Sequence, residues 1–223
     1  GTGRRMTAGT FRAGKAVWIA RHGNRADFVD PDWAARAARP HDPELSADGV
    51  EQARELGRRL AGQGIQHIFA SPFLRAVETA ACVAEALDLR INIEDGVCEW
   101  LNPVWFPDEP ALLGLAEMAR RFPRLDASYR SRVLYTYPEH DERDHCWTRA
   151  GLAARLLARE FPGDILIIGH GASMMGMVHG LLGENDGLDC GLCSFAKVAW
   201  TGKLWELVLN DSVLAPDNGT HSP

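Results

Sequence analysis

Apolar runs alternate with amphipathic stretches along most of this chain. Residues 16–20 (AVWIA) are apolar without interruption, which is typical of a strand buried on both faces of a parallel sheet. The same pattern predicts strands at 66–71, 91–93, 164–170, 194–200 and 204–210. Apolar positions spaced three or four residues apart predict helices at about 45–64, 75–87, 109–121, 147–161 and 172–183. Because strands and helices alternate, we expect a parallel sheet covered by helices.

Local signals mark the ends of these elements. Ser46 is expected to cap the first long helix, because a serine oxygen can accept a hydrogen bond from a free backbone N–H of the first turn. The apolar stripe of that helix consists of Val50, Ala53, Leu56 and Leu60. The Thr-Gly-Lys sequence at 201–203 predicts a hairpin between the last two strands.

Residues 94–146 interrupt this regularity. The stretch is rich in proline and aromatic residues and carries only the helix predicted at 109–121. We interpret it as an insertion over the active site rather than as a second domain. The fold class that follows is an α/β three-layer sandwich with a mostly parallel central sheet and an irregular insertion. A single domain is expected over 15–210, with a flexible N-terminal arm at 1–14 and a C-terminal tail at 211–223.

Composition and charge exclude some classes of function. The chain has 223 residues, a net charge of -6 and a pI near 5.8, which argues against binding to nucleic acid or to an anionic membrane. The sequence has no run of about eighteen apolar residues, so no transmembrane helix is expected. Residues 1–15 lack the apolar segment of a signal peptide. The five cysteines are an odd number, which favours a reducing, cytoplasmic compartment over a disulfide framework.

Three predicted strands end in residues that can bind an anion. Arg21, His22 and Arg25 follow the first strand, Arg75 follows the second, and His170 ends the strand at 164–170. The carboxyl ends of neighbouring parallel strands meet at one edge of a sheet, so these side chains are expected to converge. Guanidinium groups hold tetrahedral oxyanions through fixed donors and stay charged, and a histidine can act as a nucleophile. The pattern therefore predicts phosphoryl transfer without a metal ion.

Transfer from an alkoxide or phenoxide also needs a group that protonates the leaving oxygen. The strongest candidate is Glu99 in GVCEWL, an acid among apolar neighbours, whose burial is expected to favour the protonated form. Glu94, Asp95 and Asp108 are weaker candidates. A glycine at position 23 is expected to let the backbone approach the anion closely.

Four motifs in this order resemble the histidine phosphatase superfamily, the phosphoglycerate mutase-like group. They are RHGNR at 21–25, SPFLRAVETA at 71–80, CEW at 98–100 and IIGHGAS at 167–173. The resemblance implies that His22 becomes phosphorylated, that Arg21, Arg75 and His170 bind the phosphoryl group, and that Glu99 is the general acid and base. It implies no metal and no organic cofactor.

Its second arginine makes the RHGNR motif most similar to that of one subgroup, the ecdysteroid-phosphate phosphatases and suppressor-of-T-cell-receptor-signalling phosphatases. In that subgroup Arg25 would be a further phosphate ligand. The residues that mutases carry after the first histidine-glycine pair are absent here, and Gly171-Ala172 stands where acid-phosphatase relatives have an aspartate. The resemblance therefore favours a phosphatase that uses Glu99.

Several residues keep a second interpretation. Arg25 has nearby carboxylates, so an ion pair with Asp27 or Asp30 competes with phosphate binding. The Cys190–Cys193 pair has metal-ligand spacing, but no second pair accompanies it, so ordinary packing is favoured. The HDERDH run at 140–145 is interpreted as a solvated charged loop rather than a metal site. Four loop aromatics form either a substrate wall or part of the core, and they are Phe28, Trp33, Trp100 and Trp105.

The sequence thus predicts a cofactor-independent phosphomonoester hydrolase that acts through a phosphohistidine. The expected partners are a small-molecule phosphomonoester or a phosphopeptide, with no nucleic acid or membrane, and a second copy in a homodimer. Two alternatives remain. One is a phosphotransferase of the phosphoglycerate mutase type, and the other is a non-catalytic protein that binds phosphorylated ligands.

Overall fold

A six-stranded sheet forms the centre of the computed structural model, which describes residues 11–214. The strands are β1 (Ala16–Arg21), β2 (Ile65–Ala70), β3 (Ile91–Ile93), β4 (Asp164–Gly169), β5 (Ser194–Trp200) and β6 (Trp205–Ser212). Their order in the sheet is β3-β2-β4-β1-β5-β6. The first four strands in that order run parallel, and β5 and β6 are antiparallel to their neighbours.

Helices cover both faces of this sheet. They are α1 (Ala26–Val29), α2 (Trp33–Arg36), α3 (Ala47–Leu60), α4 (Leu74–Leu87), α5 (Leu115–Arg121), α6 (Thr148–Glu160) and α7 (Gly171–Leu182). Alternate residues of the strands enter two separate cores. Trp18 and Leu166 pack in the core that includes α3 and α4, whereas Ile19 packs in the core that includes α6 and α7. The predicted three-layer α/β sandwich is therefore confirmed.

The predicted elements agree with the observed ones except in the irregular stretch 94–146 and in the segment between β1 and α3. The Ser46 side chain accepts a hydrogen bond from Gly49 N at 3.2 Å, as expected of the cap of α3. The helix predicted at 109–121 is wrong in its first half, because α5 begins only at Leu115. Pro110 disfavours helical backbone at Glu109, and the helix begins only after Gly114, which is its N-cap. The short helices α1 and α2 were not predicted.

The proposed domain boundaries fall partly outside the described residues, which exclude 1–10 of the arm and 215–223 of the tail. Phe11, the first residue described, packs edge-on against Trp200 and Trp205 at ring distances of 5.5 and 5.1 Å. At the other end, β6 continues to Ser212, two residues into the predicted tail. Between residues 11 and 214, every helix is too short or too polar to cross a membrane.

Candidate active site

The sheet register brings three strand ends to one place. Arg21 at the end of β1 lies opposite Gly169 at the end of β4, and Ala70 at the end of β2 lies opposite Ile168. The residues that follow these strands are His22, His170 and Ser71. The rings of the two histidines lie 5.1 Å apart in an edge-on arrangement. The predicted convergence at the carboxyl edge of the parallel strands is therefore present.

His22 is held so that one ring nitrogen carries a proton and the other keeps its lone pair. Its Nδ1 lies 2.7 Å from the carbonyl oxygen of Gly23, and since that oxygen only accepts, Nδ1 carries the proton and Nε2 keeps its lone pair. Arg75 Nε donates to this Nε2 at 3.2 Å. Burial, and then the positive charge of Arg75, hold the pKa of His22 well below its usual value. The imidazole is therefore neutral at physiological pH, which is the state that a nucleophile needs.

Arg75 is a fully buried cation at the start of α4. Its Nη2 lies 3.3 Å from Glu99 Oε2, and its Nη1 has no hydrogen-bond partner within residues 11–214. Burial, followed by the nearby charge of Arg25, lowers the pKa of Arg75 to about 10, so the side chain stays charged at neutral pH. A buried guanidinium with an unused donor costs free energy unless an anion joins it. This position therefore suits an anionic ligand.

Ser71 orients His170. Its Oγ lies 2.7 Å from His170 Nε2 and also accepts a hydrogen bond from Phe73 N at 3.2 Å. His170 Nδ1 faces Glu99 Oε2 at 3.4 Å, and because a carboxylate only accepts, the proton belongs on Nδ1 while the Ser71 hydroxyl donates to Nε2. Burial lowers the pKa of His170 to about 4, so the ring offers a neutral N–H donor to the site.

Glu99 enters the site from the loop after β3, and its charge state differs from the expectation. Its Oε1 accepts from Trp100 N at 2.9 Å, and its Oε2 faces Arg75 and His170. Burial opposes ionisation, but the contact with His170, followed by the charge of Arg75, outweighs it and holds the carboxyl pKa below its usual range. Since His170 is neutral at pH 7, Arg75 is the standing cation beside it. The expectation that burial keeps Glu99 protonated is wrong for the free protein, because it ignored the contacts with His170 and Arg75.

The two arginines around the nucleophile differ in what they already bind. Arg21 donates from Nη1 to the carbonyl oxygen of Cys190 at 2.9 Å, while its buried Nε has no partner among the described residues. Arg25 makes a two-pronged ion pair with Asp27, with distances of 2.9 and 2.6 Å, and lies 4.3 Å from the ring centroid of Phe28. The ion pair foreseen as the second interpretation of Arg25 is present, so phosphate binding by this residue stays a prediction.

The weaker candidates for the acid are occupied or remote. Glu94 is fully buried, and its carboxylate accepts from Tyr129 Oη at 2.5 Å and from the backbone N–H groups of residues 132 and 133 at 2.9 Å each. It therefore fixes the irregular stretch. Asp108 is exposed, and Asp95, which is partly buried, donates through its backbone N–H to Ser131. Glu99 is the carboxylate that lies beside both histidine and arginine.

Thr79 and Ser71 support the site but were not singled out from the sequence. Thr79 Oγ1 accepts from Gly23 N at 3.1 Å and donates to the carbonyl oxygen of Arg75 at 2.8 Å, which joins α4 to the loop after β1. The position of Ser71 was a usable signal, because it directly follows β2 as His22 follows β1. Thr79 gave none, since it is one of many polar residues on a helix.

The loop aromatics divide into two kinds. Trp33 and Trp100 donate from their indole nitrogens to Glu44 and to the carbonyl oxygen of Glu139. Phe28 and Trp105 are more than half exposed, at 56% and 54%. The substrate-wall interpretation therefore concerns the second pair, and the first pair has a structural role.

The remaining metal-like motifs gather no ligand set. The HDERDH run forms a mostly exposed turn whose last residues belong to the π-helical segment Glu142–Trp147. The cysteines, including Cys190 and Cys193, are free thiols. In the described part of the chain, no three His, Cys, Asp or Glu side chains are grouped so that they can hold a metal ion.

Two curated proteins match most of this chain. Human ubiquitin-associated and SH3 domain-containing protein A is 28% identical over 209 residues, covering 77% of this chain and 32% of the relative. The ecdysteroid-phosphate phosphatase of Bombyx mori is 25% identical over 211 residues, covering 79% of this chain and 32% of the relative. The chain thus spans about a third of the length of these curated relatives.

The same fold occurs in solved structures. The ecdysone phosphate phosphatase from Bombyx mori, crystallised with tungstate, matches with a TM-score of 0.74 and 21% identity over 94% of this chain and 96% of that chain. The predicted similarity to the ecdysteroid-phosphate phosphatase subgroup is confirmed by these matches. A family model for the histidine phosphatase superfamily (branch 1) matches residues 17–212. The chain therefore belongs to the histidine phosphatase superfamily.

Proposed function

We propose that this protein is a phosphomonoester hydrolase that acts through a phosphohistidine on His22, without a metal or organic cofactor. The observation that carries the proposal is the state of His22. Its Nε2 lone pair faces a buried arginine that has an unused donor, because Nδ1 is tied to the backbone of Gly23. A neutral nucleophile beside a vacant anion-binding donor is what in-line attack on a phosphate ester requires.

In the first step His22 Nε2 attacks phosphorus, and the N–P bond forms as the bond between phosphorus and the ester oxygen breaks. Arg21, Arg75 and His170 stabilise the equatorial oxygens, since each offers a donor that the free protein leaves partly or wholly unused. Glu99 gives a proton to the departing alkoxide or phenoxide. The products of this step are the free alcohol and the phosphohistidine.

Glu99 must acquire its proton when substrate binds, because it is ionised in the free protein. A phosphate dianion takes over the Nη2 donor of Arg75 that now faces Oε2, and it places negative charge beside the carboxylate. Both changes raise the pKa of Glu99. The substrate therefore creates the protonated form of its own acid catalyst.

In the second step water attacks phosphorus while the Glu99 carboxylate, now without its proton, accepts one from the water. The N–P bond breaks, and Nε2 recovers its lone pair as inorganic phosphate leaves. The same carboxylate serves as acid and then as base. Glu99 lies beside His170 and Arg75, which are proposed to hold the phosphoryl group, so its carboxyl group is close to the reacting phosphorus in both steps.

The leaving group is proposed to be apolar and bulky, in a small molecule or a phosphopeptide. Phe28 lies against Arg25, and Trp105 packs edge-on against Trp100, the neighbour of Glu99, so exposed aromatic surface lies near two residues of the site. The relative from Bombyx mori carries the name ecdysteroid-phosphate phosphatase, which supports a bulky ester. The free cysteines support the expected cytoplasmic location.

The homodimer stays a prediction. The outer strand β6 supports it, because three consecutive residues of this edge are exposed and apolar, namely Leu207, Val208 and Leu209. An exposed apolar edge strand is a surface on which a second strand can pair. Sedimentation velocity at several protein concentrations measures the oligomeric state directly.

Trapping the covalent intermediate tests the proposed reaction. Radiolabelled p-nitrophenyl phosphate should label the wild-type protein on His22, with a bond that is stable in base and labile in acid. His22→Ala should bind inorganic phosphate but show neither label nor turnover, whereas the matched control at exposed His140, His140→Ala, should behave as wild type. Turnover by His22→Ala would contradict the mechanism. A wild-type protein that binds phosphate without label would be a binding protein, and transfer of the label to a second hydroxyl would indicate a phosphotransferase.

A further inference from the structure

A buried ion pair lies behind the loop that carries Glu99. Arg149, the second residue of α6, donates from Nε to Glu139 Oε2 at 3.0 Å and from Nη2 to Glu139 Oε1 at 2.7 Å. The side chains are 7% and 3% exposed. Neither residue touches His22, Arg75 or the carboxylate of Glu99, so the proposed reaction does not use them directly.

The remaining donors of Arg149 bind the backbone on both sides of the acid. Its Nη1 donates to the carbonyl oxygens of Gly96 at 2.8 Å and Cys98 at 3.2 Å, and its Nη2 donates to the carbonyl oxygen of Glu99 itself at 2.9 Å. With the two bonds to Glu139, all five N–H groups of the guanidinium are occupied. A single side chain thus holds three carbonyl groups of one short loop.

Glu139 holds the same loop from its other end. Its Oε1 accepts from Leu101 N at 3.0 Å, its carbonyl oxygen accepts from the Trp100 indole at 3.0 Å, and its backbone N–H donates to the carbonyl oxygen of Leu101 at 2.9 Å. The segment from residue 98 to 101 forms no helix or strand. Its position therefore depends on these side-chain bonds rather than on a regular hydrogen-bond ladder.

We propose that Arg149 and Glu139 act as positioning residues that place the Glu99 carboxyl for proton transfer to the leaving oxygen. This role presupposes the acid function of Glu99 proposed above. A proton donor works only at hydrogen-bond distance from the leaving atom, and a shift of about 1 Å can reduce a rate on the order of 100-fold. Because the pair contacts the Glu99 main chain and not the phosphate-binding residues, its loss should impair protonation of the leaving group and spare phosphate binding.

Arg149→Lys tests this role, because lysine keeps the charge but replaces five fixed donors with three on a flexible stem. Turnover of an alkyl phosphate, whose poor leaving group needs protonation, should fall by about 10- to 100-fold. Turnover of p-nitrophenyl phosphate, whose leaving group needs little help, should fall much less. Inhibition by inorganic phosphate should stay within about twofold of wild type. A general loss of structure would instead lower all three quantities together.

Two reference variants make the comparison specific. Arg155→Lys changes a partly buried arginine on the same helix that donates to the carbonyl oxygen of Gly180 at 3.0 Å, away from the Glu99 loop, and it should match wild type in leaving-group dependence. Glu99→Gln removes the proton donor itself and should show the largest selective loss on alkyl phosphates. In a Glu99→Gln background, Arg149→Lys should add no further selectivity, because it acts through an acid that is already gone.

The outcomes separate the two proposals. If Glu99→Gln slows alkyl and aryl phosphates equally, the acid function of Glu99 fails. If Glu99→Gln is selective and Arg149→Lys is not, or if their selective losses add in the double variant, the positioning role alone is overturned. Glu139→Gln, which keeps an acceptor for Leu101 N, should show the same selective loss and carries the test where Arg149→Lys does not fold. Loss of folded protein in both single variants, measured by thermal unfolding, would make the pair a structural requirement and overturn the role.

Discussion

At the scale of single residues, four buried groups set each other's charge. His22 and His170 lose their protons to burial, Arg75 keeps its charge, and Glu99 is ionised because His170 and Arg75 face it. The free protein thus holds one buried cation and one buried anion beside a neutral nucleophile. A phosphate dianion favours the protonated form of Glu99, because it competes for Arg75 and repels the negative charge on Glu99. Substrate binding and activation of the acid are therefore the same electrostatic event.

Arg25 is the arginine whose role the structure leaves to experiment. Its charge is the second cause that lowers the pKa of Arg75, which shows that the two guanidiniums lie near each other. Arg25→Ala is expected to weaken inhibition by inorganic phosphate about tenfold or more, because a hydrogen bond to a charged group contributes about 1.5–3 kcal/mol. Asp27→Asn should strengthen that inhibition, since it releases donors from the ion pair. Steady-state inhibition constants measure both changes.

A neighbouring arginine provides the control for Arg25. Arg36 lies in the same segment between β1 and α3 and forms an exposed ion pair with Asp30. Such exposed pairs contribute little to stability. Arg36→Ala should leave phosphate inhibition unchanged. Equal inhibition constants for Arg25→Ala and Arg36→Ala would show that Arg25 forms a surface ion pair and does not bind phosphate.

The nucleophile and its charged neighbours were predictable residue by residue because each follows a buried strand. The charge of Glu99 was not, since it depends on contacts with His170 and Arg75, which are distant from it in the sequence. The Arg149–Glu99 contact spans 50 residues, and Arg149 belongs to none of the four motifs. Sequence patterns indicate which residues lie at one sheet edge, but the ionisation of a buried group is decided by atoms that meet only after folding.

At the scale of elements, the loop after β1 and the start of α3 approach unusually closely. A Cβ on Gly23 would lie 2.6 Å from the carbonyl oxygen of Gly49, and a Cβ on Gly49 would lie 2.1 Å from the carbonyl oxygen of Asn24. Because Gly23 has no side chain, α3 can pack closely against the loop after β1. The sequence suggested a different reason for this glycine, namely a close approach of the backbone to an anion. Backbone atoms cannot rotate away as a flexible side chain can, so the two segments would have to separate.

Gly23→Ala is expected to destabilise the protein and to displace His22. Forcing one extra carbon into such a contact costs about 1–3 kcal/mol of the free energy of unfolding, and turnover of p-nitrophenyl phosphate should fall as well because Nδ1 of His22 is tied to Gly23. Urea unfolding and steady-state kinetics measure the two effects. Gly114→Ala is the matched control, since a Cβ there meets open space and the backbone φ is -67°. Similar stabilities of the two variants would contradict the steric explanation.

The helices and strands themselves were largely predictable, because both cores follow simple periodicity. Continuous apolar runs became β1 and most of β4, which are buried on both faces, and the apolar half of β2 is buried in the same way. Prediction failed where no hydrophobic period exists, as in the stretch before α5. The backbone before α5 is held by side chains such as Arg149, and the backbone after α5 is held by Glu94, and their partners carry no repeating signal.

At the scale of the whole molecule, the site reduces stability in acid. The pKa of His170 falls from 6.5 to about 4 on folding, so between these values the unfolded chain holds a proton that the folded protein excludes. His22 shifts in the same direction. Stability is therefore greatest above pH 6.5 and declines as the pH falls, by about 1.4 kcal/mol per pH unit for each excluded proton. Below the usual pKa of a carboxyl group, protonation of Glu99 in the unfolded chain adds to the loss.

Removing one of these imidazoles should reduce the pH dependence of folding. His170→Gln is expected to lower the slope of unfolding free energy against pH by up to one proton between pH 6.5 and about 4.5. The variant should therefore avoid a loss of stability that reaches about 3 kcal/mol in the wild-type protein by pH 4. Urea titrations at several pH values measure this slope. His140→Gln, a substitution at an exposed position, should keep the wild-type slope. An unchanged slope in His170→Gln would mean that His170 keeps its ordinary affinity for protons in the folded state. A minority of the His170 rings would then be protonated at pH 7, and only those sites would begin the reaction with one more positive charge.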